Sequence, residues 1–125
     1  MKILLIDVYN FNKGGAETVC FNTGDLLKQN GHEVIYFTLK WKDNNPSPQE
    51  KYFPESKETR KGPLRQVKNL VNYFYHFEAA RKIEQLILDE KPDIAHIHLL
   101  WGQITPSIFP VLKKHHIPIF FTVHD

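Results

Sequence analysis

Residues 2–9 form a nearly unbroken apolar run, the pattern of a parallel strand covered on both faces. Residues 33–39, 93–99 and 118–123 share that character and are rich in β-branched or aromatic side chains. Between these runs the period changes to that of a helix. In residues 16–30 an apolar stripe passes through Ala16, Val19, Cys20, Thr23, Leu26 and Leu27, and Gly31 follows where a helix C′ glycine belongs. Residues 63–90 carry Val67, Leu70, Val71 and Phe74 on one stripe, continued by Ala80, Ile83, Leu86 and Ile87. That spacing fits one helix or two. Residues 106–114 fit a short helix with Ile108, Val111 and Leu112 inward.

The resulting order, β-α-β-loop-α-β-α-β, predicts an α/β fold: a Rossmann-like open parallel sheet with helices on both faces. Residues 40–62 interrupt it. They hold Pro46, Pro48 and Pro54, many charges and few aliphatic residues. A long segment without apolar periodicity has little to offset its ordering entropy, so it is expected to be the least ordered internal part, with fast amide exchange. A run that ends on a strand with no closing helix predicts that residues 1–125 are one domain of a longer protein.

Composition narrows the classes. A chain of 125 residues is one domain with room for a real core. Hydrophobic residues at 42% and charged residues at 24% exclude a wholly disordered chain. A formal charge of +2 is too weak to make nucleic acid or an anionic membrane the main partner. The single cysteine, Cys20, has no partner for an internal disulfide and lies on a helix stripe, so it reads as a small hydrophobe in a reducing, cytoplasmic compartment. Asp7 breaks the N-terminal apolar run and no small-residue cleavage site follows, so the run reads as a strand, not a signal peptide. No apolar run reaches the roughly 20 residues needed to span a bilayer.

In open parallel sheets ligands bind beyond the carboxyl ends of the strands, where the strand order switches. That rule selects residues 10–15, 98–103 and 124–125. In the first, Lys13-Gly14-Gly15-Ala16-Glu17 opens a helix. Its free amides favour an anion such as a diphosphate, and the glycines let a ligand approach; equally, they give room for a tight turn. There is no Gly-x-Gly-x-x-Gly and no acidic residue at the end of the second strand, which argues against a dinucleotide. Lys13 precedes the glycines, which argues against a P-loop. In the second segment, period 2 puts His96 and His98 on one strand face. His96, mid-strand, reads as a hydrogen-bonded core histidine; His98, at the edge, can reach a ligand. A metal site built from His96, His98, His124 and Asp125 is conceivable, but no diagnostic spacing supports it.

The ordered set Met1 to Ile6, Gly14-Gly15-Ala16-Glu17, Lys91-Pro92-Asp93-Ile94-Ala95-His96-Ile97-His98 and Phe121-Thr122-Val123-His124-Asp125 resembles the N-terminal domain of family 4 glycosyltransferases. These are retaining enzymes of the GT-B fold, in which two Rossmann-like domains face each other across a cleft. The resemblance implies that residues 1–125 form the acceptor-side domain, and that a C-terminal domain of the same chain binds most of the nucleotide sugar. It implies that Gly14 and Gly15 approach the donor diphosphate and that His98 lies near the transferred sugar as the catalytic-site residue. It places His124, Asp125, Trp101 and Asn12 on the cleft and acceptor side. It also implies a glycan or lipid acceptor, no cofactor beyond the nucleotide-sugar substrate, no metal, no nucleic acid, and a peripheral membrane contact in the full-length protein. Leu99-Leu100-Trp101-Gly102 departs from the acidic residue or proline that many relatives carry there, which weakens the acceptor contacts most. Two other classes stay open. One is a flavodoxin-like small-ligand module; the other is a protein-interaction domain using residues 40–62 and their aromatics Trp41, Tyr52 and Phe53.

Overall fold

The structure, a computed structural model, describes residues 1–100, 104 and 106–124. The strands are β1 (Lys2–Ile6), β2 (Glu33–Phe37), β3 (Ile94–Ile97) and β4 (Ile119–Phe121). The helices are α1 (Gly15–Gln29), α2 (Arg65–Phe74), α3 (Phe77–Glu90) and α4 (Ile108–Lys114), with a 3-10 turn at Glu50–Tyr52. The strands form one parallel sheet in the order β2-β1-β3-β4. The expected architecture is therefore present, and each expected strand lies in its place. After β2 the chain crosses to the other side of β1, so the order switches between β1 and β3.

Alternation along the strands sends successive side chains to opposite faces. Leu4, Ile6 and Val8 join Ala95 and Ile97 in the larger core beneath α3 and α4, with Ala79, Ile83, Leu86, Ile108 and Leu112. Ile3 and Leu5 point the other way and pack with Cys20 of α1. The burial of Cys20 pushes its thiol well above the usual range, so it is a core side chain.

α1 ends as expected. Gly31 has φ +85, and its amide and that of His32 bond back to Lys28 and Leu27, the two bonds of a Schellman cap. Its buried stripe, however, is Glu17, Cys20 and Gly24, while Val19 and Leu26 face solvent. The helix is rotated because Gly24 allows a close approach to β1 and β2. A Cβ there would overlap the Tyr36 hydroxyl and lie 3.2 Å from a Leu5 methyl. Gly24→Ala is accordingly expected to destabilise the protein by about 1–3 kcal/mol, measured by urea unfolding.

Residues 40–62 correct the expectation of a poorly ordered segment. Phe53 is fully buried, with its ring edge-on to Phe37 at 6.4 Å. Tyr52 donates to Asp89 on α3 (2.6 Å), the Lys40 amide bonds Pro54, and the Trp41 indole donates to the Val8 carbonyl (2.9 Å). Arg60, also buried, reaches Glu78 and the Glu55 carbonyl. A few large side chains hold the segment on α3 and the edge of the sheet, although it has no periodicity. Tyr52 and Phe53 are buried and Trp41 is partly buried, so of the aromatics in the protein-interaction reading two are withdrawn from the surface.

Residues 63–90 form two helices. The break lies at Tyr75 and His76, where the His76 ring is buried and its Nδ1 accepts the Ala79 amide (3.1 Å), capping α3. α3 turns Ala79, Ile83, Leu86 and Ile87 to the core. α2 buries none of its residues.

Candidate functional site

Because the strands are parallel, their carboxyl ends share one edge, and the first, third and fourth strands meet there. The His98 amide still bonds the Ile6 carbonyl (2.9 Å), and the Thr122 amide bonds the Ile97 carbonyl (2.9 Å). Gly14, Gly15, His98 and His124 thus come to one edge, at the switch in strand order. Trp101 and Asp125 lie outside the described residues.

Among the described residues, nothing gives the glycine loop an intramolecular reason for its glycines. Gly14 is extended (φ −166), a conformation any residue adopts, and Gly15 is the first helical residue. Among the described residues, a Cβ on Gly15 would meet nothing within 4 Å; one on Gly14 would sit 3.4 Å from the Glu17 carboxylate. The tight-turn explanation therefore finds no support in the geometry. Gly14 also supplies no side-chain cap, so the first amides of a 15-residue helix are left without the oxygen that serine, threonine or aspartate would provide.

The histidines reverse the expected order of burial. His98 is 1% exposed, and neither ring nitrogen has a hydrogen-bond partner among the described residues. His96 is only half-buried and is paired with the Thr122 hydroxyl (2.7 Å). The His98 ring lies 4.2 Å from that of His96 and stacks at 5.8 Å on His124, whose Nε2 is also without a partner among the described residues. The reason is lateral. His96 sits between Leu5 of β1 and Phe120 of β4, which is 59% exposed, whereas the His98 ring is covered by the stacked His124. Burial, then the neighbouring His96 and His124, holds His98 down at about 4; burial and His124 also lower His96. At neutral pH the His98 ring is uncharged and offers one N–H and one lone pair. Among the described residues no three His, Cys, Asp or Glu side chains converge as a metal site.

Two features at this edge had no place in the sequence reading. Asp7 follows β1 and is 1% exposed; its Oδ1 accepts the Val8 amide (2.6 Å), and among the described residues its Oδ2, near the Cys20 thiol, has no close hydrogen-bond partner. Burial, reinforced by Glu17, pushes its carboxyl up to about 7. An acid at the carboxyl end of an apolar strand is the signal that could have found it. The second is an aromatic platform. Tyr9 lies 5.0 Å from Trp41 and 5.5 Å from Phe11, and the Lys13 ammonium sits over Tyr9 and bonds its hydroxyl (2.8 Å). Trp41 is 32 residues from Tyr9 in sequence, so no local motif joins them. Asn12 lines a groove of about 670 Å³ between α1, β2 and residues 45–49.

Residues 13–125 match the model of glycosyltransferase family 4. The chain belongs to that family. It is a glycosyltransferase family 4 domain with the Rossmann-like architecture of the GT-B fold. The chain is also similar to an uncharacterized 42.6 kDa protein in the cps region of Klebsiella pneumoniae, with 26% identity across the whole chain and 37% of that protein. It therefore spans a little over one third of the length of that curated relative. Among the described residues, no helix is long and apolar enough to cross a membrane.

Proposed function

We propose that this domain is the N-terminal, acceptor-side half of a retaining glycosyltransferase. The full-length protein transfers a sugar from a nucleotide-sugar donor to an acceptor hydroxyl, in the cytoplasm and without a metal. The observation that carries the reading is the open, uncapped glycine loop at the strand-order switch and, at the same sheet edge, a buried histidine whose two nitrogens have no partner among the described residues. The amides at Gly14 and Gly15 stabilise the negative charge that grows on the diphosphate as the glycosidic bond breaks. Lys13, adjacent to them, adds a cation. Neutral His98 hydrogen-bonds the transferred sugar, and His124, with Trp101, Asp125 and Asn12, belongs to the acceptor side of the cleft. A second domain of the same chain holds the rest of the donor.

The cps location of a similar protein supports polysaccharide assembly as the setting, with a glycan or glycolipid as acceptor. The test uses the full-length protein with a panel of nucleotide sugars and follows the anomeric configuration of the product by NMR. Transfer with the donor's configuration kept is expected. Inversion, or no transfer from any nucleotide sugar, would sink the reading.

A further inference from the structure

Beside its buried stripe, α1 carries a second one at helical spacing: Thr18, Phe21, Asn22, Asp25 and Lys28. It forms one wall of the groove that Asn12 also lines; β2 and residues 45–49 form the others. At about 670 Å³ the groove has the size of a small-ligand site. Its rim is tied down. The buried Asn10 side chain donates to the Asn45 carbonyl (3.0 Å), and the Asn45 amide donates to the Asn10 carbonyl (2.8 Å). The Ser47 hydroxyl donates to the buried Gln49 side chain (3.3 Å). These bonds fix the rim against the end of β1, so the groove stands before any ligand enters it. β2 is the outer strand on this side of the sheet. Glu33, Phe37 and Leu39 bond β1, which turns the backbone groups of Val34 and Tyr36 to the open edge.

The chemistry of the lining is that of carboxamides and rings. Asn12, Asn22 and Asn45 are exposed along it and come from three separate parts of the chain. Each carboxamide sets a donor beside an acceptor, which matches two adjacent hydroxyls of a sugar ring. The partly buried rings of Phe21 and Tyr36, 6.1 Å apart, supply the apolar surface on which the C–H face of a pyranose rests. The charges are Asp25 and Glu33 against Lys28, whose ammonium lies over the Tyr36 ring (5.5 Å). Two acids against one cation disfavour a phosphate or an anionic chain. An extended peptide pairing with β2 would want apolar pockets for alternate side chains, and the carboxamides do not provide them.

We infer that this groove is an accessory site for a neutral oligosaccharide, held lengthwise along α1. Thr18 to Lys28 spans about 15 Å of helix, which gives room for several linked rings. Among the described residues, none of Gly14, Gly15, His98 and His124 lines the groove, so it is distinct from the glycine loop and the histidines. One end lies at Asn12, two residues before Gly14, and the other at Glu33, where β2 begins. A glycan held there keeps one end close to the switch edge and so at a high effective concentration. The inference does not depend on the proposed reaction, because binding in the groove needs neither donor nor transfer.

The test titrates the isotope-labelled full-length protein, without donor, with neutral hexasaccharides of glucose, mannose, galactose and rhamnose and with the matching monosaccharides. NMR reads the amide shifts. Shifts are expected at Thr18, Asn22, Asp25 and Gln49 with at least one hexasaccharide, and weaker binding with its monosaccharide. Changing Asn22 and Asn45 together to Ala should weaken binding about tenfold or more. Phe21→Leu, which keeps apolar bulk and loses the ring face, should weaken it about fivefold. Both asparagines are exposed, so the melting temperature of their double variant should hold. The inference fails if no hexasaccharide shifts these amides, or if the shifts gather around Gly14 and His98 instead. An asparagine pair that binds like the wild type would also overturn it. So would shifts along β2 with an alternating valine–threonine hexapeptide and none with any glycan.

Discussion

Replacing Gly15 with tryptophan in the full-length protein is expected to lower sugar transfer by about 100-fold or more, while the melting temperature stays nearly unchanged. The first half follows from what lies around the residue. Its backbone amide opens α1 at the switch edge, and among the described residues nothing lies within 4 Å of where its Cβ would sit. A bulky group there obstructs whatever approaches the amides and leaves the rest of the domain untouched. The second half follows from the backbone, since Gly15 is an ordinary helical residue with no need of glycine's freedom. A size series makes the expectation sharp. Initial rates should fall from Gly15→Ala through Gly15→Val to Gly15→Trp, with KM for the donor rising. Rates that are flat across the series would show that no diphosphate comes near this loop.

The second large effect is on stability and depends on pH. Asp7→Asn is expected to stabilise the protein at pH 8 by up to about 4 kcal/mol more than at pH 4. In the folded protein burial pushes the Asp7 carboxyl from 3.8 up to about 7. A carboxyl with a raised folded value adds stability that is fully present below its unfolded value. That stability is lost as pH rises towards 7, because the unfolded chain ionises freely while the fold keeps the proton. Above 7 the buried charge must be carried, with Glu17 nearby and no close hydrogen-bond partner for Oδ2 among the described residues. Asparagine keeps the oxygen that accepts the Val8 and Tyr9 amides and removes the charge. His76 and His98 act in the opposite direction. Burial holds both at about 4, so their contribution is present above 6.5 and is lost as pH falls through 4. Both proteins share that acid arm, and subtracting the wild-type curve from the variant's removes it. Urea unfolding of both proteins from pH 4 to pH 8 reads the difference. A difference that does not vary with pH would show that Asp7 is ionised at no cost in the fold.

The sequence by itself determined the sheet. Its strands are short apolar runs that only a doubly covered parallel sheet can bury, and the helical segments between them leave little choice of topology. It also determined the edge at which a ligand would sit, because parallel strands bring all their carboxyl ends to one side. Periodicity names a stripe, but it does not say what lies opposite. Val19 and Leu26 of α1 face solvent because Gly24 lets the helix roll onto Tyr36 and Leu5. The stripe of α2 faces outward because Arg60 holds its polar side against the domain. Tyr52 and Phe53 hold residues 40–62 down through contacts with Phe37 and Asp89, far away in sequence. His96 and His98 share a strand face, and which of them is buried depends on what flanks each on the neighbouring strands. Those are long-range contacts, fixed only when the whole chain has closed.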